Sequence, residues 1–106
     1  MDEDVVFEVE SVLGGTIVMR DVVWEDVRLR KHRDLNGRLA DVQITVSDPD
    51  EVRRSTKRPN VFLFYRVHGV RQFVCVVVRS ESSQRTYVTS AYDTTRVKEG
   101  EILWQR

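Results

Sequence analysis

The run Phe73-Val74-Cys75-Val76-Val77-Val78 constrains this chain more than any other segment. Six consecutive apolar positions, dominated by β-branched side chains and bounded by Gln72 and Arg79, are too short for a typical buried helix. They suit a strand covered on both faces. Two neighbouring runs, Val61 to Val67 and Arg85 to Tyr92, have the same valine and aromatic character, and the segments at His68-Gly69 and Ser80 to Gln84 separate the three. The spacing predicts an antiparallel three-stranded meander with Phe73 to Val78 in its middle.

The N-terminal half changes period. Val5 to Glu10 reads as a strand, and Gly14-Gly15 gives the turn freedom that leads into a second strand, Thr16 to Arg20. From Val22 the pattern is helical: Val23, Trp24, Val27 and Lys31 recur on one face until Leu35-Asn36-Gly37, where Asn-Gly marks a stop. Leu39, Val42, Gln43 and Val46 mark the inward face of a second, short helix. Ser47-Asp48-Pro49-Asp50-Glu51-Val52 reads as the start of another helical turn, with Asp48 as cap and Pro49 at the first helical position. Residues 53 to 60, Arg-Arg-Ser-Thr-Lys-Arg-Pro-Asn, read as a mobile basic loop without an apolar anchor. The expected fold is α+β: a twisted antiparallel sheet, formed by the C-terminal meander and an N-terminal hairpin, packed against two or three N-terminal helices.

A chain of 106 residues has room for one modest core, so residues 1–106 are read as a single domain. No stretch approaches the roughly 20 apolar residues that span a bilayer, and the acidic start Met1-Asp2-Glu3-Asp4 is unlike a secretory signal. No membrane partner and a cytoplasmic location are the expectation. Cys75, the single cysteine, lies inside the apolar run and reads as a core thiol.

Zero net charge conceals segregation. Residues 1 to 26 carry eight acids against one base, whereas residues 27 to 85 carry thirteen Lys and Arg against six acids. A basic middle can present a positive face although the whole chain is neutral. Lys31 and Arg33 crowd one segment, Arg53, Arg54, Lys57 and Arg58 another, and Arg66 and Arg79 decorate the predicted sheet. Such side chains hold phosphates without reading sequence, and no helix-turn-helix or RNA-recognition stacking motif accompanies them. The bland alternative is that these arginines only solvate helices and loops.

Metal and cofactor chemistry find no motif. His32 and His68 lie far apart, without Cys or carboxylate at ligand spacing, and there is no glycine-rich phosphate loop. Metal-free RNA cleavage needs fewer parts: a base for the 2′-hydroxyl, an acid for the leaving 5′-oxygen and cations about the phosphorane. Histidine is the side chain suited to carry that proton near neutral pH, and arginine stabilises the developing charge. His32, arginines of the sheet and the strand-end set Thr89, Ser90 and Tyr92 would suffice if they converge. The alternatives are a solvated helix-end histidine and a tyrosine that merely anchors a strand.

The order of features, Gly15-Thr16-Ile17-Val18-Met19, then Trp24 with His32 eight residues later, then Thr45-Val46-Ser47-Asp48-Pro49-Asp50-Glu51-Val52, resembles a family of small phage and bacterial nuclease-like domains. The likeness continues through Phe64-Tyr65-Arg66, Val88-Thr89-Ser90-Ala91-Tyr92, Lys98-Glu99-Gly100-Glu101 and Trp104. These domains belong to the barnase, EndoU, colicin and RelE fold group, most of whose members are metal-independent endoribonucleases, many of them toxins. The resemblance, over about residues 15 to 104, implies RNA as substrate, an antitoxin or other protein as partner and no cofactor. It places the family's helix-end histidine on His32, its strand-end motif on Ser90-Ala91-Tyr92 and its arginine on Arg66. Two departures stand out: Asp26-Val27 occupies the place of a second, earlier histidine, and Arg33-Asp34 replaces a Pro-Glu. The expected roles are His32 as general acid or base, Arg66 and Arg79 as phosphate cations, and Ser90 and Tyr92 as positioning or relay groups. A non-catalytic module of the same fold, binding RNA or a partner protein, is the competing expectation.

Overall fold

A computed structural model describes residues 4–82 and 84–106; Met1, Asp2, Glu3 and Ser83 lie outside the described residues. The chain is α+β. Strands β1 (Val5–Glu10) and β2 (Thr16–Arg20) form the expected hairpin. Helix α1 (Asp21–Asp26) continues β2 without a break, loosens into a π turn (Val27–Lys31) and, after His32, tightens into a 3-10 turn (Arg33–Leu35). Helix α2 (Leu39–Ser47) follows, then β3 (Glu51–Arg54), β4 (Val61–Val67), β5 (Phe73–Ser80), β6 (Arg85–Thr94) and β7 (Ile102–Gln105). The seven strands make one sheet in the order β1-β2-β6-β5-β4-β3-β7. No helix among the described residues is long and apolar enough to cross a membrane.

The meander is present and antiparallel, with β5 at the centre of the sheet. Its unalternating run packs on both faces, as one face of Val74, Val76 and Val78 meets the helices while Cys75 joins Leu63 and Tyr65 on the other. The helix-covered face holds the main core, in which Trp24, Val27 and Leu35 from the first helical segment and Val42 and Val46 from α2 lie on Ile17, Met19, Phe64, Val88 and Ala91. Gln43, expected inside, is exposed. Thr45 takes the buried place instead, its hydroxyl satisfied by the Asp41 carbonyl at 2.7 Å.

Three expectations are corrected. The sheet is mixed rather than antiparallel throughout, because β2 joins β6 in parallel register, Thr16 against Arg85 to Val18 against Tyr87. Gly15 permits this join: its φ is +76°, and an added Cβ would lie 2.8 Å from the Gln84 carbonyl oxygen. The stretch from Asp48 to Val52 is not a helix start. The Asp50 amide donates to the Tyr65 carbonyl, its carboxylate accepts from the Val67 amide, and the Arg106 guanidinium holds both Asp48 and Asp50. These acids tie strand ends together, and Val52 buries in alternation with Glu51 and Arg53. Finally, Arg53 and Arg54 belong to β3 rather than to a loop. Arg54 is fixed to Glu101 at 3.1 Å and to the Pro59 carbonyl at 2.7 Å.

Candidate functional site on the open face of the sheet

Only one face of the sheet carries the helices. The opposite face presents Leu63 and Tyr65 of β4, Phe73, Cys75 and Val77 of β5, and Tyr92 of β6, with Val97 packed against them. After the short parallel join, β2 runs directly into α1, so the helical segment lies along the free margin of β6. His32 emerges there. Its backbone amide donates to the Val27 carbonyl at 2.7 Å, closing the π turn, and buried Val27 and Leu35 pin the segment on either side. Its half-buried ring meets that of Tyr92 with centroids 5.6 Å apart.

Strand β6 is bulged next to this contact. Val77 opposes Ser90 but Val78 opposes Val88, which leaves Thr89 as the extra residue, with its hydroxyl donating to the Val77 carbonyl at 3.3 Å. The bulge puts Ser90 on the open face beside Val77, two residues before Tyr92. His32, Ser90 and Tyr92 therefore share one side of the molecule.

The Tyr92 ring meets His32, while its hydroxyl is turned inward. The oxygen is enclosed against the Cys75 thiol without reaching hydrogen-bond geometry. Burial, reinforced by the neighbouring Cys75 and Tyr65, raises the phenol well above the usual tyrosine range. Cys75 itself is fully buried, and burial pushes its thiol up to about 11, as expected of an unreactive core cysteine. Tyr65 is likewise pushed up to about 12, chiefly by burial. Its hydroxyl accepts the Lys98 amide at 3.0 Å.

That bond brings in a residue to which the sequence reading assigned no role. Lys98, in the segment between β6 and β7, holds its ammonium 5.6 Å from the centre of the Tyr92 ring, a cation over the aromatic that supports His32. Its carbonyl accepts Arg53 Nη1 at 3.4 Å, so the sheet grips both of its backbone groups. The Lys98-Glu99-Gly100 run carried the signal, but only the strand partner of Ile102–Gln105 gives it a place.

The predicted cations divide between the faces. Arg66 pairs in register with Val74, on the helix side, where its guanidinium binds the Asp48 carbonyl and, at 3.1 Å, the Asp48 carboxylate. It does not converge with His32 and Tyr92, which corrects the expected constellation. His68 is on that side too, sharing a small cavity of about 50 Å³ with Arg66 and Thr45. Arg54 stacks over Phe62, also away from the open face. Arg53 and Arg79 do lie on the open face, paired respectively with Glu51 and, at 2.8 Å, with Glu81. Lys31 pairs with Asp26 at 3.3 Å, and Arg33 donates to the Leu29 carbonyl at 3.0 Å beside His32. Lys57 and Arg58 are exposed, with no carboxylate partner among the described residues. Tyr87, further along the same face, is flanked by Arg20 at 4.5 Å and Arg85 at 5.7 Å. Among the described residues, no group of three or more His, Cys, Asp or Glu gathers in a way that could hold a metal ion.

At the far end of β6, Arg38 clamps Asp93 at 2.6 Å and so fixes the start of α2 to the strand that bears Tyr92. Burial pushes the Asp93 carboxyl up, but hydrogen bonding and the charges of Arg38 and His68 prevail and hold it below the usual carboxylate range. A carboxylate of this kind adds stability above its unfolded pKa of about 3.9, and the contribution is lost as pH falls through the lower folded value. Asp93→Asn should therefore cost about 1 kcal/mol at neutral pH, as expected for a partly screened pair, and flatten the acid limb of the stability curve. Urea melts between pH 7 and 3 check this, and equal acid slopes for the two proteins would refute it.

No family model, curated protein or solved structure matches the chain.

Proposed function

We propose that the chain is a metal-independent endoribonuclease-like domain that acts on RNA at the open face of its sheet. The observation that carries the reading is the contact of His32 with Tyr92 on a face that also bears Ser90, Lys98, Lys57, Arg53 and Arg79. The His32 ring is only half-buried where it meets Tyr92, which leaves part of the imidazole accessible from solvent. Cations on the same face suit a phosphodiester. The likeness of the ordered motifs to the barnase, EndoU, colicin and RelE group supports the same reading, with a cytoplasmic toxin or phage-encoded effector as its setting.

In this mechanism His32 moves the proton of the attacking 2′-hydroxyl or of the leaving 5′-oxygen, Lys98 and the open-face arginines balance the phosphorane charge, and Ser90 positions the phosphate. Tyr92 is a positioning residue, since its enclosed hydroxyl leaves the ring as its working part. Cleavage should persist in EDTA and leave 2′,3′-cyclic phosphate ends. RNA methylated at the scissile 2′-oxygen should stay intact. End-group analysis of the products distinguishes this from hydrolysis by water, and linear 3′-hydroxyl ends would overturn the proposed route.

One observation favours the alternative, a non-catalytic RNA-binding module. His32 is the single imidazole of the open face, since His68 lies on the helix side, and a two-proton reaction then has one evident carrier. Salt-dependent RNA binding without cleavage of total, transfer or ribosome-bound messenger RNA would select the module.

A further inference from the structure

The open face also holds a groove of about 350 Å³, which shares Lys98 with the Tyr92 ring. Its floor is Val61, Leu63 and Val77, and its rim carries Lys57 from the β3 to β4 loop and Lys98 and Glu99 from the segment before β7. The volume falls within the range of small-molecule sites, and an apolar floor with charge at the lip is the usual build of one. Both lysines are held from behind. The Lys57 amide donates to the Ser55 hydroxyl at 3.2 Å, and Lys98 is fixed through Tyr65 and Arg53. Neither ammonium has a carboxylate partner among the described residues, unlike Arg53 and Arg79 nearby.

We infer that this groove is a nucleotide subsite for single-stranded RNA: one backbone phosphate sits between Lys57 and Lys98, and the attached base lies on Val61, Leu63 and Val77. The inference rests on the proposed action on RNA and gives that action its substrate register. Lys98 touches both places, its ammonium over the Tyr92 ring and its side chain on the groove, so the nucleotide held here adjoins the one presented to His32. The groove lining holds no aromatic ring to stack on, so the base is held by apolar contact with Val61, Leu63 and Val77 rather than by stacking, and that contact does not select sequence. Glu99, the one carboxylate of the lining, keeps the backbone on the lysine side of the groove.

The test uses a short 2′-O-methyl oligouridine, which cannot be cleaved by its own 2′-oxygen, titrated by fluorescence anisotropy at several salt concentrations. Against the native chain, the Lys57→Ala, Lys98→Ala double variant should bind roughly ten- to a hundredfold more weakly, the worth of charged hydrogen bonds to one phosphate. Its logarithmic salt slope should shrink by about 0.7, one phosphate of a single strand. In parallel, oligouridine should shift the methyl resonances of Val61, Leu63 and Val77, whereas inorganic phosphate should leave them unchanged. Unchanged affinity and slope in the double variant would overturn the subsite, and so would silent methyl groups on binding. Retained cleavage of RNA by the native chain alongside either result would leave the proposed function standing. Normal oligouridine behaviour without cleavage would uphold the subsite and sink the catalytic reading.

Discussion

Alanine at His32 is expected to lower RNA cleavage by roughly a hundred- to ten-thousandfold, the usual worth of a positioned proton carrier. Folding should survive the change. His32 is half-buried, its backbone amide closes the π turn whatever the side chain, and the neighbouring anchors Val27 and Leu35 stay in the core. Circular dichroism and a urea midpoint close to the parent's would establish that the loss is chemical. Tyr92→Phe supplies the contrast, because it keeps the ring against His32 and removes only an oxygen without a hydrogen-bond partner. It should retain most of the activity, whereas Tyr92→Ala should lose much of it. A His32→Ala protein working at the full rate would exclude the assigned role.

The largest structural effect is expected at Gly100. Its φ of +155° is in a region side chains rarely adopt, and an added Cβ would fall 2.2 Å from the backbone oxygen of Arg54, which cannot yield without moving β3. Gly100→Ala should therefore destabilise the fold by about 2–4 kcal/mol, combining backbone strain with steric overlap. The damage should be directional. Gly100 lies between Lys98 and β7, so its displacement loosens the pairing of β7 with β3 and the hold of Tyr65 on Lys98. Hydrogen exchange should rise first at Ile102 to Gln105 and at Lys98, with β5 still protected. A melting temperature equal to the parent's would refute the prediction.

The meander, the hairpin and both helices were legible because each depends on local period: valine-rich runs broken by turns, or apolar residues at helical spacing. Elements whose identity is decided by distant partners were not. Asp48, Pro49 and Asp50 have every local mark of a helix start, but Arg106 and Arg66 claim the carboxylates that would have capped it. Ile102 to Gln105 is too short to announce a strand alone and becomes one by pairing with Glu51 to Arg53. The same holds for the site. Motif order brought out His32, Ser90 and Tyr92, which share a face, but it could not tell that Arg66 points to the opposite one. The alternation of side chains along a strand is local, whereas the side of the sheet that the helices cover is a tertiary choice. Lys98 went unassigned because a hydroxyl 33 positions upstream in sequence holds its amide.

The parallel join of β2 to β6 has a kinetic consequence. Strands that pair in parallel cannot be formed by a tight turn, and here Thr16 to Val18 must wait for Arg85 to Tyr87, across most of the chain. The antiparallel meander of β4, β5 and β6 closes through short connections and can assemble earlier, because loop closure grows costlier with length. The β1 and β2 hairpin then docks late, and with it comes the helical segment that delivers His32 to Tyr92. A full-length chain refolding from the unfolded state would thus carry an open, partly formed sheet face through much of its folding while the helical segment bearing His32 docks last. The pairing of His32 with Tyr92 would then be a late event, after the meander that carries Tyr92 has already set.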